Sequence, residues 1–173
     1  GFGSKIYIYP EEIVCLWASK KSGVPVKWVS DRTEAFLTDA HGRDHVTHVE
    51  MAFDKGNNIV GLKVDTIANL GAYMSLFSSA TPTYLYATLL SGQYNIPAIH
   101  ANVRTVYTNT APVDAYRGAG RPEATFVMER TMETAARELG VSPTELRRQN
   151  FVKSFPHQTP VIMCYDAGDF SAS

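Results

Sequence analysis

Two stretches of the chain combine residue types and spacing that could do chemistry. The first is Ala115-Tyr116-Arg117-Gly118-Ala119-Gly120-Arg121-Pro122-Glu123. Two arginines flank a Gly-Ala-Gly loop that delivers the chain to the start of a long helical pattern. Backbone N–H groups, the positive end of a helix dipole and one or two guanidiniums then converge on a small volume, which suits a phosphate or another oxyanion. The same residues also suit a plain helix entry in which Arg117 or Arg121 pairs with Glu123, and residue types alone leave both readings open. Asp114, just upstream, is placed to orient an arginine. The second stretch is Gly1-Phe2-Gly3-Ser4-Lys5, where glycines let the backbone approach an anion closely.

Other chemistries find no foothold. His41, His45 and His48 include the offsets of a helical metal site, but Asp44 to Phe53 reads as a strand, which sends His45 and His48 to opposite faces. No metal ligand set follows, and no local Ser/His/Asp or Cys/His signature supplies a catalytic residue. Cys15 lies in Ile13-Val14-Cys15-Leu16-Trp17 and reads as a buried small hydrophobe. With Cys164 it allows one long-range disulfide at most, and the absence of a cysteine framework points to a reducing, cytoplasmic setting. Sixteen basic and 17 acidic residues give a net charge of -1, which offers nucleic acid nothing to hold. The sequence has no apolar run long enough for a membrane span.

The elements that must position these residues are legible along the chain. At 173 residues and 45% hydrophobic, the chain can build one core. Pro10-Glu11-Glu12 opens a helix with Ile13, Val14, Trp17 and Ala18 as its apolar stripe, and Gly23 stops it. Val24 to Val29 reads as a short strand. Asp31-Arg32-Thr33-Glu34 is a charged turn feeding a helix or loop. Residues 45–54 and 58–69 form a hairpin around Asp54-Lys55-Gly56-Asn57-Asn58. A short helix is expected from Tyr84 to Leu90, and a strand from Ala101 to Thr108. Ala124, Val127, Met128, Met132, Ala135, Ala136 and Leu139 recur at helical spacing up to Gly140. Ser142-Pro143-Thr144-Glu145 then starts a second helix ending at Asn150. Without regular βαβ alternation the fold class is α+β, with antiparallel or mixed sheet hairpins and packed helices.

Taken in order, several segments resemble the molybdopterin-binding large subunit of the xanthine oxidase family of molybdenum hydroxylases, nearest its carbon monoxide dehydrogenase branch. Gly1-Phe2-Gly3-Ser4-Lys5 resembles the end of the family's G-G-G-F-G-x-K loop. Asp31 to Phe36 with Gly42-Arg43 resembles its R-x-E-x-F…G-R stretch, and Asn69 to Tyr73 its G-A-Y element. Leu146 to Phe151 and Tyr165 to Phe170 resemble its L-R-x-x-N-F and Y-D-S-G-D-F segments. The resemblance implies that residues 1–173 are part of the first molybdopterin-binding domain of a much longer subunit. A chain opening at Gly1 rather than Met fits that expectation, and the second such domain, with the catalytic glutamate base, would lie beyond Ser173.

The resemblance also implies roles. Gly1, Phe2, Gly3 and Arg117 are expected to hold a molybdenum–molybdopterin cofactor, in its cytosine dinucleotide form. Tyr116, Gly118, Ala119, Gly120 and Arg121 are expected to line the substrate side. The implied activity is oxidative hydroxylation of a small carbon substrate with water. Electrons would pass to an iron–sulfur subunit and an FAD subunit in an oligomeric complex, and the isolated chain would be inactive and cofactor-free. Gly118 stands where carbon monoxide oxidisers carry a copper-binding cysteine, which argues against that substrate. Ile6 stands where purine hydroxylases carry a glutamate. The competing expectation is a non-catalytic assembly or anion-binding module that keeps the fold.

Overall fold

The computed structural model describes residues 8–172. Helix α1 (Pro10–Ser22) starts with proline and two acids, and ends at Gly23 in the left-handed region, φ 72°. The expected apolar stripe exists, but it is not a buried face: no residue of α1 is buried, and Ile13, Val14 and Trp17 are all exposed. Cys15 is half-buried rather than buried, and both Cys15 and Cys164 are free thiols. Val24 to Val29 is irregular rather than a strand. Apolar β-formers there find no strand to pair with, and Pro25 brings no N–H. Asp31 caps helix α2 (Arg32–Thr38): its carboxylate accepts from the Glu34 N–H at 2.8 Å, and the Glu34 carboxylate accepts from the Asp31 N–H at 2.9 Å.

The hairpin forms as expected, with β1 (His45–Phe53) antiparallel to β2 (Ile59–Asn69). Its turn uses Asn57 at φ 63°. Inward positions of β1 are half-buried and outward ones exposed, so His45 and His48 do face opposite ways. Strand β3 (Ile99–Val106), two residues earlier than expected, joins β2 in parallel. The crossover between them holds a π-helical turn over Thr81–Leu85 in place of a helix from Tyr84 to Leu90. Helices α3 (Arg121–Leu139) and α4 (Pro143–Asn150) follow, with Gly140 ending α3 and Ser142 capping α4. A two-stranded ribbon of β4 (His157–Gln158) and β5 (Cys164–Tyr165) occupies the tail. A mixed three-stranded sheet with helices on one face is an α+β arrangement.

The core joins β2, the crossover and both late helices through Leu62, Val64, Tyr86, Leu90, Tyr94, Met128, Met132 and Leu146. Polar pegs lock its far end. The Asn150 carboxamide accepts from the Ile59 N–H at 2.8 Å and donates to the Asn57 carbonyl at 3.0 Å, tying α4 to the hairpin turn. Arg147 donates from Nε to Glu129 at 2.8 Å and from Nη1 to Glu133 at 3.3 Å, clamping α4 onto α3. The buried Tyr94 hydroxyl donates to the other Glu129 oxygen at 2.6 Å. The Leu146–Phe151 segment is therefore structural: Leu146 fills the core, Arg147 and Asn150 brace it, and Phe151 lies against Tyr94 at a ring separation of 5.8 Å. Among the described residues, no helix is long and apolar enough to cross a membrane.

Candidate functional site

The Ala115–Glu123 loop is held from both ends. Upstream, the His41 N–H donates to the Pro112 carbonyl and the Asp114 N–H to the His41 carbonyl, each at 2.8 Å. These bonds lay residues 41–43 beside residues 112–116. Asp114 is buried, and its carboxylate accepts from the Ala115 N–H at 2.5 Å and the Phe77 N–H at 3.5 Å. It thus shapes backbone and orients no arginine. Downstream, the loop closes on itself: Ala119 N–H donates to the Tyr116 carbonyl at 2.8 Å and Arg121 N–H to the Gly118 carbonyl at 3.2 Å. Gly118, Ala119 and Gly120 take φ of 101°, 39° and 90°, so the chain turns sharply before Pro122 enters the first turn of α3.

Arg43 is the residue that sequence reasoning passed over. It sits in the Gly42-Arg43 pair, whose residue types alone suggest no role. Its Nη2 donates to the Arg117 carbonyl, and its guanidinium lies 5.2 Å from the Tyr116 ring centroid. Its Nε stands 3.7 Å from Glu123 Oε2. The ion pair that the helix-entry reading gives Glu123 with Arg117 or Arg121 is made by Arg43 instead, which reaches the Arg117 carbonyl from 74 positions away. Arg121 turns back to the Gly118 carbonyl at 3.4 Å. The signal that could have found Arg43 is the glycine before it: a Cβ on Gly42 would lie 2.6 Å from the Tyr116 Cβ, so only glycine lets the two segments meet.

Arg43 separates two clefts. A cleft of about 490 Å³ lies on the Tyr116 side, lined by Arg32, Phe36, Asp39, His41 and Gly42, with Arg32 stacked 5.5 Å over Phe36. A cleft of about 800 Å³ lies between β1 and α3, with His45, Glu123, Phe126 and Arg130 in its walls. Glu123 is buried, yet its Oε2 has no hydrogen-bond donor. The His45 ring rests edge-on against Tyr86 at 5.1 Å. Burial holds the His45 pKa below its ordinary value, against the pull of the nearby Glu123 and Asp44 carboxylates.

What the loop offers a ligand is donors. Gly120, at the head of α3, caps the helix with no side chain. Among the described residues, the Arg117 and Gly118 N–H groups have no acceptor and the Arg117 guanidinium makes no ion pair. Two unpaired N–H groups and a free guanidinium on the exposed Arg117 fit an anionic cofactor. Tyr116, Gly118, Ala119, Gly120 and Arg121 are thus brought into one turn with Arg117. Gly1, Phe2 and Gly3 lie outside the described residues.

Comparison with known proteins bears on the family of the chain. The model of a molybdopterin cofactor-binding domain matches residues 1–151. The chain is 40% identical over 153 residues to the 6-hydroxypseudooxynicotine dehydrogenase complex subunit gamma of Paenarthrobacter nicotinovorans, a match covering 87% of this chain and 19% of that protein. It is also 40% identical to the carbon monoxide dehydrogenase large chain of Hydrogenophaga pseudoflava, over 98% of this chain and 22% of that one. Quinoline 2-oxidoreductase from Pseudomonas putida 86 superposes with a TM-score of 0.93 at 32% identity, over 99% of this chain and 22% of its own. The chain spans about a fifth of the length of the curated relatives it matches. The cofactor-domain match across most of the chain, with these relatives beside it, places the chain in the xanthine oxidase family of molybdopterin-binding subunits.

Proposed function

We propose that this chain forms part of the first cofactor-binding domain of a molybdenum hydroxylase large subunit, an oxidoreductase that hydroxylates a small carbon substrate. The observation that carries the reading is the Tyr116–Arg121 turn, whose unpaired donors sit on an exposed loop pinned from behind by Arg43. When bound, the molybdenum–molybdopterin group, in its cytosine dinucleotide form, supplies transfer of oxygen from water to carbon and takes up the electrons. The chain's own residues position and shield. Arg117 and the loop N–H groups donate to the cofactor's anionic ligands, and Gly1, Phe2 and Gly3 would add backbone donors. Tyr116, Gly118, Ala119, Gly120 and Arg121 wall the substrate side, and the bare Cα of Gly118 packs against the Pro122 ring. No described residue takes the role of general base, which falls to another part of the subunit. Electrons would leave to an iron–sulfur and a flavin subunit.

For substrate, the reading favours a nitrogen heteroaromatic over carbon monoxide. Relatives named for nicotine and quinoline are among the matches, and Gly118 offers no thiolate for a copper ion. The test is Arg117→Ala in the enzyme that contains this segment. Turnover and molybdenum content by mass spectrometry should both fall, while thermal stability moves by no more than about 0.5 kcal/mol, as for an exposed surface residue. Equal losses of activity and stability would make Arg117 a structural residue and end the proposal for it. The isolated chain is expected to retain no molybdenum; stoichiometric metal on it would overturn that expectation.

A further inference from the structure

The Tyr116–Ala119 segment is a β-turn, closed by the Ala119 N–H donating to the Tyr116 carbonyl at 2.8 Å. Arg117 keeps a negative φ, while Gly118 takes φ 101°. A negative φ followed by a positive one is the type II form, whose central peptide is turned over relative to type I. The closing bond is common to both forms, so it does not choose between them. Two other features do. Glycine at 118 admits the positive φ. From elsewhere in the chain, Arg43 Nη2 donates to the Arg117 carbonyl, and no other donor reaches that oxygen among the described residues. Arg121 donates to the Gly118 carbonyl, one peptide further on, and leaves this peptide to Arg43.

The Arg117–Gly118 peptide is trans, so its N–H points opposite to its carbonyl. Fixing the carbonyl on Arg43 therefore aims the Gly118 N–H away from Arg43, where no acceptor meets it among the described residues. A type I turn would reverse the pair and offer a carbonyl lone pair where the donor now stands. Arg43 is itself held in place: its Nε faces the buried Glu123 at 3.7 Å, and its guanidinium lies 5.2 Å from the Tyr116 ring centroid. A charged donor also polarises the peptide it binds, which makes the N–H at the other end a better donor. We propose that Arg43 is a positioning residue that holds the Arg117–Gly118 peptide in its type II orientation. The Gly118 N–H is then presented to the anionic group that Arg117 binds, an inference that rests on the cofactor-holding role proposed for this turn.

The test compares Arg43→Met with the unaltered enzyme that contains this segment, by two readings. Crystal structures of the cofactor-free forms read the peptide directly: without Arg43, the Arg117 carbonyl should turn over and the Gly118 N–H with it. Steady-state kinetics read the consequence. Per bound molybdenum, kcat should fall about tenfold or more while KM moves by less than about twofold, because a donor to the cofactor is lost and no substrate contact is. A residue that only held the fold would leave the peptide where it is. If Arg43→Met fails to fold, the same substitution in a Glu123→Gln background, which strands no buried charge, carries both readings. A peptide that keeps its orientation without Arg43 would overturn the proposal, and so would a turned peptide with kcat unchanged. Arg117→Ala judges the cofactor reading separately: molybdenum lost there, with neither Arg43 reading altered, would refute the positioning role and leave the enzymatic reading standing.

Discussion

Arg43→Met tests whether the loop is pinned by charge. The pair with Glu123 is long, 3.7 Å, and joins a carboxylate side chain 6% exposed to a guanidinium 32% exposed. At an effective dielectric near 20 such charges attract by roughly 4 kcal/mol. Water around the exposed Arg43 screens much of that, and truncation opens the cleft so that Glu123 regains some hydration. The expected net cost is about 1–2 kcal/mol, below the figure for breaking a fully buried pair. Part of the loss is the carboxylate left without a cation, and that part disappears when the charge is removed. Glu123→Gln alone should cost less than about 1 kcal/mol, and Arg43→Met in that background should cost visibly less than in the original, with a coupling of about 1 kcal/mol. Urea unfolding of the four chains gives the cycle directly. Losses that add to within about 0.3 kcal/mol would show that Arg43 and Glu123 do not act on each other, and the pinning argument would fail.

Four further outcomes follow from the same geometry. Arg147→Ala removes donors to Glu129 at 2.8 Å and Glu133 at 3.3 Å; it should cost about 2–3 kcal/mol in urea unfolding, with lysine recovering only part because it cannot bridge both acids. Burial lowers the His45 pKa, so its contribution is present above the unfolded value of about 6.5 and is lost as pH falls through the folded one; His45→Gln should flatten the fall in melting temperature between about pH 7 and 5. The burial-raised pKa values of Tyr86, Tyr94 and Tyr165 have the opposite sign and erode stability above about pH 10. Gly120→Ala would force a Cβ to within 2.6 Å of the Leu85 carbonyl carbon at φ 90°, and a cost of about 2–4 kcal/mol is expected in thermal unfolding. A neutral substitution there would mean that the turn relaxes freely.

Local pattern carried most of the fold. Alternation over residues 45–53 and a turn rich in Asn and Gly suffice to specify β1 and β2, because the period-two signal and the turn chemistry are both contained in the segment. Helix α3 is legible for the same reason, from its apolar spacing and its terminal glycine. What failed was burial where only a neighbour could decide it. Ile13, Val14 and Trp17 show that α1 has apolar surface to bury, but nothing in ten residues of sequence says what would cover it. Val24 to Val29 has strand composition, and strand structure needs a second strand. The candidate loop was legible as a donor cluster, since Gly-Ala-Gly before a helix is local chemistry. Its brace was not: Arg43 reaches the Arg117 carbonyl from 74 positions away, and two arginines nearer in sequence compete for the same acid on paper.

Helix α3 shows why stability and function can be separated in this chain. Its 19 residues extend about 28 Å, long enough for its two ends to answer to different surroundings. Toward the C-terminus, Glu129 and Glu133 are fully engaged by Arg147 and Tyr94, and Met132 and Ala136 are buried. Toward the N-terminus the same helix leaves Glu123 short of a donor, Phe126 exposed and its first turn without a side-chain cap. A helix needing only to hold the fold would gain from an apolar residue in place of the buried Glu123 and its cation. Gly120 cannot be exchanged, because its backbone geometry makes the turn that presents Arg117. Among the described residues, the unsatisfied groups of α3 thus gather at the end that meets the donor-bearing Tyr116–Arg121 turn, and its stabilising bonds at the other.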